Sequence, residues 1–338
     1  VERLAEAATD AGENRGRQVL LQSARVRGFL WVNVSCLCWA GNIALGRWLR
    51  DAIEPSLLVT LRTVVASVLL WALALRVERG GVREPGAARI PWGLLLLMAV
   101  TGIVGYQGLL YRGLHTTSAF NAALINALCP LMTALMSWAV LGVGISLRAL
   151  AGIVLSIVGV AVIVSGGDLQ RLRALEFDTG DLLVLCAVVL WGAFALAGRR
   201  AMQRSPVVRT TARATLMAVP LCLAWVSAEQ SWHGVAWTGE LAAGIAYAAI
   251  VASVIGMLAW NRAVLLSGAA EAAAGMNMLP VYALIVSVVL LHEPVHLYHA
   301  VGGVVVVAGC LLGTLSPAPA AAKARSGDAT GAGAGSAG

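Results

Sequence analysis

The chain has 338 residues, of which 59% are hydrophobic and only 12% charged, with a formal net charge of +7. A soluble domain carries about 25% charged residues, so this composition excludes an ordinary water-soluble globular protein and requires a non-aqueous solvent. The apolar residues fall into blocks of about 20, the length that crosses roughly 30 Å of hydrocarbon as a helix. Barrel strands would alternate apolar and polar residues, and runs such as "GLLLLMAVTGIVG" and "VGGVVVVAGCLLG" do not. The expected class is an all-α integral membrane protein.

In chain order, residues 1–27 form a tail of mixed charge, expected to be cytoplasmic, without the short apolar stretch and cleavage pattern of a signal peptide. Ten helical blocks follow, at about 28–49, 56–76, 92–112, 118–141, 147–166, 180–199, 207–227, 239–262, 269–291 and 297–315. The stretch 167–179 links the two sets of five. Residues 316–338, rich in Ala and Gly, read as a disordered cytoplasmic tail.

The basic residues settle the meaning of the net charge. If the N-terminus is cytoplasmic, the five Arg of the tail lie inside. So do Arg76, Arg79, Arg83, Arg89, Arg148, the four Arg of 199–209, Arg262, Lys323 and Arg325. Only Arg47, Arg50, Arg112, Arg171 and Arg173 fall outside, so the positive-inside rule places both termini in the cytoplasm. The charge reports topology in a cytoplasmic membrane, and no nucleic-acid partner is expected. The six cysteines all sit within blocks, away from any loop that could hold a disulfide or zinc cluster.

Two short phrases, "WAGNIALGR" at 39–47 and "WGAFALAGR" at 191–199, are the surface of a longer repeat. At a shift of 150, Pro130 meets Pro280, Leu141 meets Leu291, Gly152 meets Gly302 and Gly159 meets Gly309. At 151, Pro55 meets Pro206 and Arg62 meets Arg213; at 152, Trp39, Gly46 and Arg47 meet Trp191, Gly198 and Arg199. The unit has five spans, an odd number, so the second copy enters the membrane from the other side. Two inverted five-helix repeats, 28–166 and 180–315, are therefore expected, with a site between them near the midplane.

On these residues the chain resembles the EamA-type members of the drug/metabolite transporter superfamily. The resemblance rests on Trp39 and Gly46, on Arg62 in "LRTVVAS" and Arg213 in "ARATLMA", and on "ALINALCPLMTALMSWAVLG" and "AAAGMNMLPVYALIVSVVLLHEP" with Pro280 and Glu293. The first copy departs from the family in reading "LGVG" at Leu141–Gly144 where "LGE" is usual. The resemblance implies ten helices in two EamA repeats, no cofactor, and secondary transport of small metabolites. It points mostly to efflux of amino acids or related compounds, with sugars, nucleotide derivatives and drugs as other substrates. An integral-membrane enzyme and a passive channel are the alternatives. A homo-oligomer is compatible with all three.

Candidate working residues come from polar groups inside the blocks. Ser35, Trp39, Asn42 and Gly46 share one face of the first helix, and Trp39 and Trp191 form a symmetric pair suited to stacking or gating. Gln107 and Tyr111 lie one turn apart on the third. Glu271, Gly275, Met278 and Tyr282 form a stripe on the ninth. Pro130 and Pro280 each remove the helical bond to the carbonyl four residues back, at Asn126 and Met276, and predict kinks in a cavity wall. The expected substrate pathway is Trp39, Asn42, Gln107, Tyr111, Asn126, Trp191, Met278 and Tyr282.

Glu271, an acid within a span, is the candidate coupling group, with an interfacial ion pair to Arg262 as the alternative. Arg62 and Arg213 read as interfacial anchors whose side chains snorkel, or as ion-pair partners. Gly152, Gly159, Gly302 and Gly309 predict close helix packing. No Walker A loop, HExxH or nucleophile constellation is present, so no catalytic residue is assigned. The cluster His292, His296 and His299 lacks the partners of a metal site.

Overall fold

In the computed structural model of the protein, the described residues are 22–42, 45, 49, 52–79, 89–117, 125–168, 170, 173, 179–232, 235–291 and 296–314. Every regular element among them is helical. The first, α1, covers 22–42 and so begins inside the expected tail. It is followed by α2 (Pro55–Arg79), and by α3, which runs as Trp92–Met98, a π-helical stretch Ala99–Gly105, and Tyr106–Thr116. Next come α4 (Cys129–Leu141), α5 (Leu147–Ser165), α6 (Thr179–Met202) and α7 (Val207–Glu229). Helix α8 runs as Gly239–Tyr247, a second π-helical stretch Ala248–Gly256, and Met257–Ser267. The ninth block is divided into α9a (Ala269–Met276) and α9b (Leu279–Leu291), and α10 is Leu297–Thr314.

Among the described residues, five rods are long and apolar enough to cross a membrane: Pro55–Arg79, Trp92–Gly113, Thr179–Met202, Val207–Glu229 and Gly239–Ser267. Leu30, Val68, Trp92, Val304 and many other large apolar side chains are exposed on the outer surface, which is tolerable only against lipid. This is a multi-pass helical membrane protein.

The helices pack mainly across the two halves: α5 against α10, α2 against α7, α3 against α6, and α4 against α9a. The π-helical part of α3 lies against α7, and that of α8 against α2. With α1 also bonded to α8 through Ser35, Trp39 and Tyr247, exchanging the halves (α1 for α6, α2 for α7, α3 for α8, α4 for α9, α5 for α10) maps this set of pairs onto itself.

The α5–α10 contact follows from small residues. A Cβ on Gly159 would meet the Val306 amide nitrogen at 2.7 Å and the Gly302 carbonyl at 2.8 Å; one on Gly309 would meet the Gly152 carbonyl at 2.7 Å. Without side chains there, the two backbones touch, as the spacing predicts.

The prolines act differently from a simple kink. Pro130 and Pro280 each occupy the second position of a new helix, α4 and α9b. Before each, a turn bond replaces the helical one, Leu128 N–H to Ile125 carbonyl at 3.0 Å and Met278 N–H to Gly275 carbonyl at 3.1 Å. The helix then restarts through Met132 N–H to Leu128 carbonyl and Tyr282 N–H to Met278 carbonyl. A proline lacks the N–H that would continue the first helix but fits the first turn of the second. The single expected block 269–291 is thus two helices joined at Asn277–Met278, and the break recurs 150 residues earlier.

Candidate functional site

The π-helical stretch of α8 and the break in the ninth helix both meet α1. In a π turn the regular pattern of carbonyl bonds shifts, and such stretches cluster at functional sites. Here Ser35 Oγ donates to the Gly256 carbonyl at 2.9 Å, and Trp39 Nε1 donates to the Ala252 carbonyl at 3.1 Å. On the other flank of α1, the Cys36 thiol sits 3.8 Å from the Met276 carbonyl, whose helical bond Pro280 cannot supply. Gly256 and Gly275 allow this approach, since a Cβ on the first would meet Trp39 Nε1 at 2.9 Å and on the second Val32 Cγ1 at 2.5 Å. Tyr282 donates to Asn33 Oδ1 at 2.9 Å, closing the same face.

Around Trp191, which is 3% exposed, four aromatic rings gather. Its ring centroid is 5.4 Å from Trp39 in an edge arrangement, 5.1 Å from Trp260, 4.9 Å from Tyr106 and 5.2 Å from Phe194. Each such pair contributes about 0.5–1.5 kcal/mol beyond burial. Trp191 Nε1 donates to the Met276 sulfur at 3.2 Å, and the Tyr106 hydroxyl bonds Asn126 Oδ1 at 3.2 Å. Residues from α1, α3, α6, α8 and both helix breaks therefore meet in one cluster. Of five buried side-chain polar atoms without a hydrogen-bond partner among the described residues, two, Trp260 Nε1 and Gln107 Oε1, belong to this cluster or to the residue next to Tyr106. A buried polar group without a partner is expensive, and it marks a place that a ligand can complete.

Of the residues expected from sequence, Trp39, Trp191 and Asn126 belong to this cluster, and Gln107 follows Tyr106 on α3. Tyr111 lies one turn beyond Gln107, partly buried. Asn42 lies half-buried near the end of the described part of α1. Tyr282 joins α1 below the break, and Met278 is buried in the core. Trp260, Tyr106 and Phe194 were not singled out by sequence, and Met276 only for the carbonyl that Pro280 frees; no polar periodicity marks these side chains.

Three charged residues take defined places. Arg62 does not snorkel: it is 5% exposed, with Nε donating to Ser253 Oγ at 2.8 Å. Glu271 has Arg199 of α6 and Arg25 of α1 as neighbours. Its Oε2 and the Arg199 guanidinium flank Gly268, where a Cβ would meet them at 2.6 Å and 3.2 Å. Gly268 also holds φ at +108°, a region that favours glycine. Asp181, passed over in the sequence, is buried in the first turn of α6 and accepts the Thr117 hydroxyl.

Ion pairs tie the helix ends, Arg112 to Glu229 at 2.6 Å and Arg209 to Glu78 at 2.7 Å. Among the described residues no group of His, Cys, Asp and Glu is placed to hold a metal ion; His292 and Glu293 lie outside them.

These features define a multi-pass helical membrane protein built of two matching halves, with a polar-edged aromatic site where they meet. The two halves match the model of the EamA-like transporter family at residues 26–165 and 178–315, and the chain belongs to that family. A probable terminal-alkyne amino-acid exporter of Streptantibioticus cattleyicolor is 30% identical over 84% of this chain and 92% of its own length. An uncharacterized transporter of Bacillus subtilis, YyaM, is 28% identical over 64% of this chain and 71% of its own. The S-adenosylmethionine/S-adenosylhomocysteine transporter of Chlamydia trachomatis is 26% identical over 60% and 62%. A crystal structure of a protein 21% identical superposes with a TM-score of 0.70, covering 87% of this chain and 96% of that one, and shares the fold.

Proposed function

We propose that the chain is a secondary transporter that exports amino acids or related small metabolites across the cytoplasmic membrane by alternating access. The observation that carries the reading is the aromatic cluster around Trp191, set where two broken helices and two π-helical stretches meet between the halves. Discontinuous helices at a repeat interface supply backbone groups and small adjustable joints to a substrate. The pathway we assign comprises Trp39, Asn42, Gln107, Tyr111, Asn126, Trp191, Met278 and Tyr282, with Pro130 and Pro280 at the joints.

The ten-span count, the inversion of 28–166 relative to 180–315, and cytoplasmic termini are part of the same proposal. The ordered repeat, the arginine distribution and the helix pairing that maps onto itself when the halves are exchanged support them. The 30% identical exporter supports amino acids as cargo. Glu271, flanked by Arg199 and Arg25 at the end of the chain's arginine-rich face, acts in this reading as an ion pair that fastens α1, α6 and α9a there.

The test is flux into sealed proteoliposomes holding the purified chain, with radiolabelled L-propargylglycine, L-phenylalanine, L-methionine, glucose and uridine as probes. Saturable flux of an amino acid, with KM raised or flux lost in Trp191→Ala, is expected. Flux by Trp191→Ala identical to the parent for every probe would remove the aromatic cluster from the pathway.

A further inference from the structure

We propose that Arg62 is the anchor for a substrate carboxylate, seated beside the aromatic cluster; this deepens the transport reading and rests on it. The argument begins with the surroundings of its guanidinium. Arg62 is the eighth residue of α2 and is buried, so its charge is removed from water. Such burial is costly unless an anion compensates. Among the described residues no carboxylate faces it. Its neighbours are the Ser253 hydroxyl, which accepts from Nε at 2.8 Å, the Tyr111 hydroxyl and the Cys222 thiol, all neutral groups. A guanidinium has five N–H donors in a planar fork that matches a carboxylate with two parallel bonds. Ser253 takes the Nε–H and the Tyr111 hydroxyl takes a further donor, so these two neutral hydroxyls fill only part of the five-donor fork and the rest can meet a ligand.

The position of this charge is as informative as its lack of a counter-ion among the described residues. Ser253 follows Ala252, whose carbonyl holds Trp39 Nε1, so Arg62 and Trp39 grip successive residues of the same π-helical stretch. Tyr111 beside Arg62 and Gln107 one turn away share a face of α3, and Gln107 Oε1 is a buried acceptor with no partner. Trp260 Nε1, two turns beyond Ser253 on α8, is a buried donor with no partner. A small organic acid would therefore find a cation for its carboxylate, an acceptor for an ammonium or hydroxyl group, and ring faces for its side chain.

The test sets L-propargylglycine, L-phenylalanine and L-methionine each against its own carboxamide in proteoliposomes of the full chain. The parent is expected to favour the acid by at least about tenfold in KM, the discrimination one charge-assisted hydrogen bond supports. Arg62→Ala should bring that ratio close to one, chiefly by raising KM for the acid, while flux of the amide persists. Arg62→Lys should fall between. A purely structural arginine would depress acid and amide alike and leave their ratio unchanged, and that result overturns the anchor. A parent ratio near one overturns it as well, without recourse to any variant. If Arg62→Ala is not recovered folded, the Arg62→Lys ratio decides, and an unchanged ratio counts against the proposal. If the parent carries none of the probes saturably, glucose and uridine included, the transport reading itself fails and the anchor falls with it.

Discussion

Replacing Gly159 by alanine adds one methyl group where α5 and α10 touch backbone to backbone. The new Cβ would lie 2.7 Å from the Val306 amide nitrogen and 2.8 Å from the Gly302 carbonyl, neither of which can swing aside. Ordinary contact requires the helices to part by about 0.7 Å, which disturbs the row of contacts from Gly152 to Gly313; overpacking of this kind costs about 1–3 kcal/mol. For a chain of this size that corresponds to a fall of roughly 2–12 °C in Tm, read by intrinsic fluorescence on the detergent-solubilised protein. The control lies on α10 itself: a Cβ on Gly303 meets nothing within 4 Å. Gly303→Ala should leave Tm unchanged or raise it slightly, because alanine is the better helix former by about 0.5–1 kcal/mol. Equal melting of the two variants would refute the backbone-contact reasoning.

Glu271→Gln should lower Tm by loosening the junction with Arg199 and Arg25 while keeping flux driven by an imposed pH gradient; loss of that flux in a folded variant would instead make Glu271 the coupling group. Tyr106→Phe removes the bond to Asn126 Oδ1 but keeps the ring against Trp191, so KM should rise with little change in Tm, and an unaltered KM would separate that bond from transport. Reporters fused to the two ends should both be read on the cytoplasmic side, and opposite sides would contradict the arginine-based topology.

Much of the architecture was legible because it obeys simple periods. Blocks of apolar residues gave the helices, and Trp39 and Trp191, paired through the repeat, meet edge to face. The glycine pairs at seven-residue spacing likewise lie at the α5–α10 contact. What escaped the sequence depends on three-dimensional meeting points. Proline predicts a missing bond, yet whether the helix bends or stops depends on neighbours, here Cys36 of α1 reaching the Met276 carbonyl. The π-helical stretches carry no compositional mark, since "AVTGIVG" and "AAIVASVIG" read as ordinary apolar helix. Trp260 was indistinguishable from a lipid-facing tryptophan. The approach of Arg199 and Arg25 to Glu271 follows from the way α6 ends and α1 begins beside the start of α9a, which sequence separation does not show.

The central claim is that the site between the halves opens to one face and then the other, carrying one amino acid at a time. Counterflow tests it most directly: proteoliposomes are loaded with a high concentration of unlabelled L-propargylglycine, diluted, and given a trace of the labelled compound outside, with L-phenylalanine and L-methionine treated in the same way. A carrier predicts a transient overshoot of label inside, saturating with external concentration and absent in protein-free vesicles. Entry of label that rises linearly with concentration and only equilibrates, without overshoot for any of the three, would contradict alternating access and describe a pore.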